Sequence, residues 1–290
     1  MNLMKDQAEA LRRRLNNMSK LRKMKALAVV SGKGGVGKSN FSLNFAISLC
    51  RKGYKVLLFD MDVGMGNIDI LLGKSSKYTI VDFFDKKESL NNVVMEGPEN
   101  LHYIAGGTGL NRLFKLDKDM IEKFTEEFSA VLNAYDYVIF DMGAGVTEET
   151  LQLILSVDEI ILVTTPEPTS ITDGYAMLKH IHMQNEKVPF LVVVNRTIEK
   201  NDGLITFNRL NSVTKKFLRR ELKLLGMIPD DKSVRIAVAN QTPFVLTTKS
   251  LTSKALVELT ERYEQENFNE MQSSNAIQFV SKLKRFLFER

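Results

Sequence analysis

The chain has 290 residues, is 44% hydrophobic and 26% charged, and carries a formal net charge of +5. These are ordinary globular proportions, which excludes a wholly disordered chain. At about 100–200 residues per domain the length suits one large α/β domain or two smaller ones. The single cysteine, Cys50, excludes an internal disulfide framework and any metal cluster built from several cysteines of one chain.

Residues 1–25 hold eight Lys/Arg against Asp6 and Glu9, and Met4, Ala8, Leu11, Leu15 and Met18 recur at helical spacing. That pattern predicts an amphipathic helix over 4–18, marginal alone in water and suited to a partner. No uninterrupted apolar stretch follows, so a signal peptide is not expected, and no run of about 18 apolar residues is present to span a membrane. Short apolar runs then predict buried parallel strands at Ala26–Ser31, Val56–Asp60, Leu101–Ala105, Tyr137–Met142, Glu159–Thr164, Phe190–Asn195 and Leu222–Ile228. Helical periodicity fills the gaps at Ser39–Arg51, Asp117–Asn133, Thr147–Ser156, Ser170–Gln184, Asp202–Arg220 and Thr252–Glu266. The stretch 74–107 is less regular and reads as an inserted loop or short helices. This alternation predicts a doubly wound, mainly parallel sheet with helices on both faces. The last segment, 275–290, has four Lys/Arg and one acid. It places Ile277, Phe279, Val280, Leu283 and Leu287 on one arc, with Phe286 at the margin and Lys284 inside it, able to snorkel. Such a basic, Phe-rich helix suits either a membrane surface or docking on its own domain. The chain divides into a basic segment 1–25, a body 26–274 and a tail 275–290. The basic surplus belongs to the two ends, and the body is mildly acidic, which argues against a whole-surface nucleic-acid binder.

Gly32-Lys33-Gly34-Gly35-Val36-Gly37-Lys38-Ser39 fits G-x-x-x-x-G-K-[ST], between a strand and a helix. Chance produces this pattern in a chain of this length on the order of 1% of the time, so the loop is a specific signal. Its glycines let backbone N–H groups close around phosphates, and the following helix adds its positive end. Lys38 supplies charge for the β- and γ-phosphates, and Ser39 a hydroxyl for Mg²⁺. Lys33 is either a solvated loop lysine or a charge that reaches a facing subunit, as an arginine finger does. Asp60 and Asp62 end the second strand and Asp141 ends another, where ligands collect in a parallel sheet. Asp60 and Asp62 are placed to hold metal-bound water or orient an attacking water, and Asp141 is the candidate magnesium carboxylate. Asn195-Arg196 ends a further strand. Ile198 stands where a guanine-binding site would need Asp, so adenine is favoured. Pro229-Asp230 is a second candidate rim of the base pocket. His102, His180 and His182 show no ligand spacing, Cys50 reads as core, and the 13 methionines read as packing.

Lys33–Ser39, with Asp60-Met61-Asp62 and the Asp141 segment, resembles the deviant Walker A ATPases. Asp60–Gly73 is similar to the MinD branch of that family. Asp6-Gln7-Ala8-Glu9-Ala10-Leu11-Arg12 is similar to the D-Q-A-x-x-L-R motif of the FlhG-type (FleN, YlxH) flagellar-number regulators. The resemblance implies a P-loop fold of MinD/ParA type, ATP/ADP and Mg²⁺ as cofactors, and low basal hydrolysis. It implies an ATP-sandwiched homodimer across which Lys33 acts, with Lys38 and Ser39 on phosphate and magnesium. Asp62 would position the hydrolytic water, Asp60 would support the metal and the switch loop, and Asp141 would hold magnesium through water. Asn195, Arg196, Pro229 and Asp230 would shape the adenine pocket. Asn40, where many relatives have a second Thr, should affect helix capping more than chemistry. Asp6, Gln7, Ala8, Leu11 and Arg12 would engage and stimulate the FlhF GTPase. Flagellar switch-complex proteins of FliM/FliN/FliY type are further implied partners. The tail would bind the inner face of the cell membrane, docked without ATP and released with it. A ParA-type DNA-partitioning ATPase is the alternative. An electron-donating iron protein needs bridging cysteines that Cys50 alone cannot supply.

Overall fold

The computed structural model describes residues 24–62, 67–85, 87–106, 118–145, 148–199, 201–247, 249–265 and 275–288. The helix expected over 4–18, with Asp6, Gln7, Ala8, Leu11 and Arg12, lies outside the described residues. Eight strands form one sheet in the order β3-β4-β2-β5-β1-β6-β7-β8. In chain order these are β1 (Lys25–Val30), β2 (Val56–Met61), β3 (Val94–Glu96), β4 (His102–Ile104), β5 (Tyr137–Met142), β6 (Glu159–Thr164), β7 (Phe190–Thr197) and β8 (Lys223–Pro229). All neighbours pair in parallel except β3, which runs antiparallel to β4 at the edge. The seven expected parallel strands are all present. The eighth, β3, is three residues long (Val-Met-Glu), too short to carry a hydrophobic period.

The central strands are apolar throughout because both of their faces are covered. Along β1, Ala26, Ala28 and Val30 point to one core, and Leu27 and Val29 to the other. The second core is closed by α1 (Lys38–Arg51), α2 (Asn67–Leu72), α9 (Lys232–Ala239), α10 (Phe244–Thr247) and α11 (Leu251–Gln265). The first is closed by α3 (Ile80–Phe84), α4 (Leu90–Val93), α5 (Lys118–Leu132), α6 (Glu148–Ser156), α7 (Pro168–Gln184), α8 (Asp202–Leu218) and the tail helix α12 (Ala276–Phe288). The short helices expected between 74 and 107 are α3 and α4. Helices α9 and α10 are too short for the period that sequence reading needs.

Two features bear on the expected division into parts. Lys25, counted above with the basic N-terminal segment, is the first residue of β1. It is buried, and its ammonium lies 2.6 Å from Glu159 Oε1, whose other oxygen accepts from the Tyr263 hydroxyl at 2.9 Å. Burial pushes the Lys25 pKa down and the Glu159 pKa up, each against the attraction of the other. The second feature is α12, which shares the core of the body. Ala276, Phe279, Val280 and Leu283 are buried between α5 and α6. Phe279 stacks on Phe140 of β5 with centroids 5.5 Å apart, and meets Phe128 of α5 edge-on at 6.3 Å. Three residues assigned to lipid, Phe279, Val280 and Leu283, therefore face the protein in this state, because their arc matches the apolar groove between α5 and α6. Ile277 remains 48% exposed and Lys284 is half-buried. Phe286 and Leu287 belong to the described helix, but their side chains lie outside the described residues. Among the described residues no helix is long and apolar enough to cross a membrane.

Candidate functional site

The chain crosses from one half of the sheet to the other around β1, which sits between β5 and β6. Such a switch point leaves a crevice at the carboxyl ends of the strands. The loop 31–37 fills it and feeds α1. Gly37 takes φ +92°, and a Cβ there would stand 2.4 Å from Asn195 Nδ2, so both conformation and space require glycine. Gly32 is equally constrained, since its Cβ would fall 2.1 Å from the carbonyl carbon of Asp173 on α7. Asn195 Nδ2 donates to Val36 O at 2.8 Å and ties the loop to the end of β7.

A cavity of about 380 Å³ opens over the loop, lined by residues that include Gly35, Lys38, Ser39, Asp62, Asn67 and Arg196. The loop amides and the amino end of α1 make this a polyanion site. Lys38 is buried, and its ammonium lies 3.1 Å from Asp141 Oδ1, to which the Ser42 hydroxyl also donates at 2.9 Å. Asp141 Oδ2 is buried with no hydrogen-bond partner among the described residues. A buried carboxylate oxygen left without a donor suits a metal-bound water. Together with the half-buried Ser39 hydroxyl it fits a magnesium ion coordinated mainly by phosphate and water.

Asp60 lies beside Asp141 in the register of β2 and β5 and is fully buried. Its Oδ1 accepts from Asp62 N at 3.0 Å, and its Oδ2 from Asn67 N at 2.8 Å and Ile68 N at 3.2 Å. Asp60 therefore anchors the loop between β2 and α2. Oδ1 carries a single one of these donors and keeps a lone pair, so the contacts leave a place for metal-bound water as well. Burial, then the Asp141 charge, pushes its pKa up to about 6, against the pull of the three amides. Asp62 instead reaches the cavity, and Asn67 Nδ2 donates to its Oδ2 at 2.8 Å. Residues 63–66 of this loop lie outside the described residues.

Lys33 turns away from the cavity. Its ammonium lies 2.9 Å from Glu167 Oε2 and 3.1 Å from Thr169 Oγ1 at the start of α7, with the side chain 41% exposed. The Lys33 hydrogen bond and charge hold the Glu167 carboxyl below its usual range. Neither Glu167 nor Thr169 was singled out by the sequence, because their relevance appears only when α7 meets the loop.

A second cavity, of about 220 Å³, adjoins the first through Gly37, Asn40 and Arg196. It is lined by Asn195, Arg196, Pro229 and Asp230 as expected, and also by Phe41, Asp231, Val234, Arg235, Phe244 and Thr252. Apolar side chains of Phe41, Val234 and Phe244 beside polar groups at the strand end could take a purine base. Arg196 holds φ +57° where β7 and β8 slip register, which turns Asn195 under the loop. Asn40, expected to affect helix capping more than chemistry, lines both cavities and accepts at Oδ1 from Asn44 Nδ2 at 2.9 Å. The additional lining residues of α9–α11 carry no local motif and become visible only through folding.

Comparison with known proteins agrees with this geometry. Residues 22–263 match the ParA family model, described as NUBPL iron-transfer P-loop NTPase. The chain is 33% identical over 227 residues to the antiactivator FleN of Pseudomonas aeruginosa, covering 78% of this chain and 81% of that one. It is 36% identical over 213 residues to the flagellum site-determining protein YlxH of Helicobacter pylori, covering 73% and 71%. The septum site-determining protein MinD of Pyrococcus horikoshii, solved with Mg-ADP, superposes with a TM-score of 0.69 at 25% identity, over 86% of this chain and 99% of that one. With the loop and the two adjoining cavities assembled on this sheet, the chain belongs to the ParA/MinD family of P-loop NTPases and is a magnesium-dependent ATPase.

Proposed function

We propose that this ATPase is a dimerising switch that regulates the number and placement of flagella. The observation that carries the reading is 33% and 36% identity, over most of the chain, to an antiactivator and to a flagellum site-determining protein. In this reading ATP occupies the two joined cavities. Lys38 holds the β- and γ-phosphates. Asp141 and Ser39 hold magnesium, and Asp62 orients the attacking water. Lys33 leaves Glu167 and neutralises charge on the nucleotide of a second copy. A lysine 41% exposed on the rim of the site is free to do so, and giving up a solvent-screened surface ion pair costs little.

The two ends supply the addresses. Residues 6–12 engage the FlhF-type GTPase, with flagellar switch-complex proteins as further partners. The tail binds anionic lipid once α12 leaves its groove, which places the ATP form at the inner face of the membrane. Genetic deletion tests the flagellar role. Cells lacking the chain should change their flagellar count, restored by the wild type and not by Lys38→Ala; an unchanged count removes the reading. Vesicle cosedimentation with ADP and ATP, using the full chain and one ending at residue 274, tests the membrane part. Binding that needs neither ATP nor the tail overturns it.

A DNA-partitioning role is disfavoured by the mildly acidic body. ATP-dependent DNA binding that weakens steeply with salt would reverse that preference. An iron-handling role sits poorly with Cys50, whose half-buried thiol is pushed up to about 12 by burial and so resists forming the thiolate a metal needs.

A further inference from the structure

We infer that Ser42 is the positioning residue that keeps Asp141 aimed at the metal when Lys38 turns to the phosphates. Three observations carry this. Asp141 is fully buried, and the side-chain donors placed on it, the Lys38 ammonium at 3.1 Å and the Ser42 hydroxyl at 2.9 Å, both meet Oδ1. Its Oδ2 is buried and has no partner among the described residues. Ser42 itself is fully buried on the second turn of α1, one turn beyond Lys38, so its hydroxyl cannot leave for solvent.

The Lys38 ammonium serves two anions in turn. Without nucleotide it neutralises Asp141; with nucleotide its charge is drawn to the β- and γ-phosphates. A buried carboxylate that loses both the ammonium and the hydroxyl placed on it would be free to rotate. Ser42 prevents this. Its single proton has two acceptors in reach, Asp141 Oδ1 and Lys38 O at 3.1 Å, and the charged acceptor is the stronger. With Oδ1 pinned by the hydroxyl, Oδ2 would stay available to a metal-bound water. Ser42 touches neither nucleotide nor metal; it acts through Asp141.

The inference rests on the assignment of Asp141 to magnesium, and the test separates the two. Binding of a fluorescent ADP analogue to the full chain is measured in EDTA and across a magnesium titration. Ser42→Ala should raise the half-saturating magnesium concentration about tenfold, the usual scale for an outer-shell partner, with affinity in EDTA within about twofold of wild type. Ser42→Thr keeps the hydroxyl and should restore the wild-type magnesium response. Should the alanine chain not fold, Ser42→Cys, nearly isosteric with a weak donor, should shift the response in the same direction. A wild-type magnesium response in Ser42→Ala overturns the inference. So does an equal loss with and without magnesium, which would make Ser42 a packing residue, or a threonine variant as impaired as alanine. Asp141→Asn is the control. If it too responds normally to magnesium, the metal assignment itself fails; if it is impaired while Ser42→Ala is normal, only the role of Ser42 fails.

Discussion

Removing the Phe279 ring measures how firmly the tail helix is held. The ring is fully buried, stacked on Phe140 and edge-on to Phe128. Truncating such a ring to alanine costs about 3–5 kcal/mol, from lost transfer energy and the cavity left between α5 and β5. At about 1.4 kcal/mol per tenfold, local opening of α12 should increase between a hundredfold and a few thousandfold, or saturate as full release if docking is weaker than that. Hydrogen exchange followed by mass spectrometry reads this directly. In Phe279→Ala the amides of residues 279–285 should lose protection, while those of β5 and β1 keep theirs. Ile277→Ala, on the same helix but 48% exposed, should change exchange only slightly, since surface substitutions stay within about 0.5 kcal/mol. Wild-type protection of α12 in Phe279→Ala would refute the docking described here.

Three further outcomes are expected. Gly32→Ala drives a Cβ to 2.1 Å from the backbone of α7 at Asp173; calorimetry should show a marked fall in Tm, and an unchanged Tm would mean that the loop does not sit against α7. Lys38→Ala removes the cation from a fully buried carboxylate, so besides losing nucleotide binding the empty protein should lose about 3–5 kcal/mol in denaturant unfolding; full stability would contradict the Lys38–Asp141 pair. The Asp60 pKa, raised from 3.8 to about 6, makes the native state hold a proton that the unfolded chain has released. Stability should therefore fall as pH rises through that window, by about 3 kcal/mol at most, and unfolding curves of the wild type and Asp60→Asn in EDTA should diverge across it rather than run parallel.

The parts of this molecule legible in the sequence are those whose determinants are local. Seven strands announce themselves as apolar runs because both sheet faces are covered, and the loop 32–39 because phosphate binding demands glycine and lysine at fixed spacing. The second cavity was only half legible. Asn195 and Pro229 end strands and could be placed, whereas Phe41, Val234 and Phe244 become its wall only after α1, α9 and α10 converge. Asp60 was legible only in part. An acid at a strand end beside a phosphate loop reads as a metal residue, while the amides that also anchor on its oxygens are revealed by no pattern. Lys25 was misplaced for a similar reason, because its partner Glu159 is distant in sequence.

The tail was ambiguous for a physical reason. An apolar helical arc fits a lipid surface and a protein groove equally well, and only the groove between α5 and α6 decides which is filled in this state. That groove shares its floor with the nucleotide site. Phe140 and Asp141 are consecutive in β5, so their side chains leave the strand on opposite faces. Phe140 lies under Phe279, and Asp141 accepts from Lys38 and Ser42 on α1. A strand buried on both faces in a close-packed core has little room to shift one of these side chains alone. The residue that holds the tail and the residue assigned to magnesium are thus neighbours in one backbone segment, on opposite faces of the sheet.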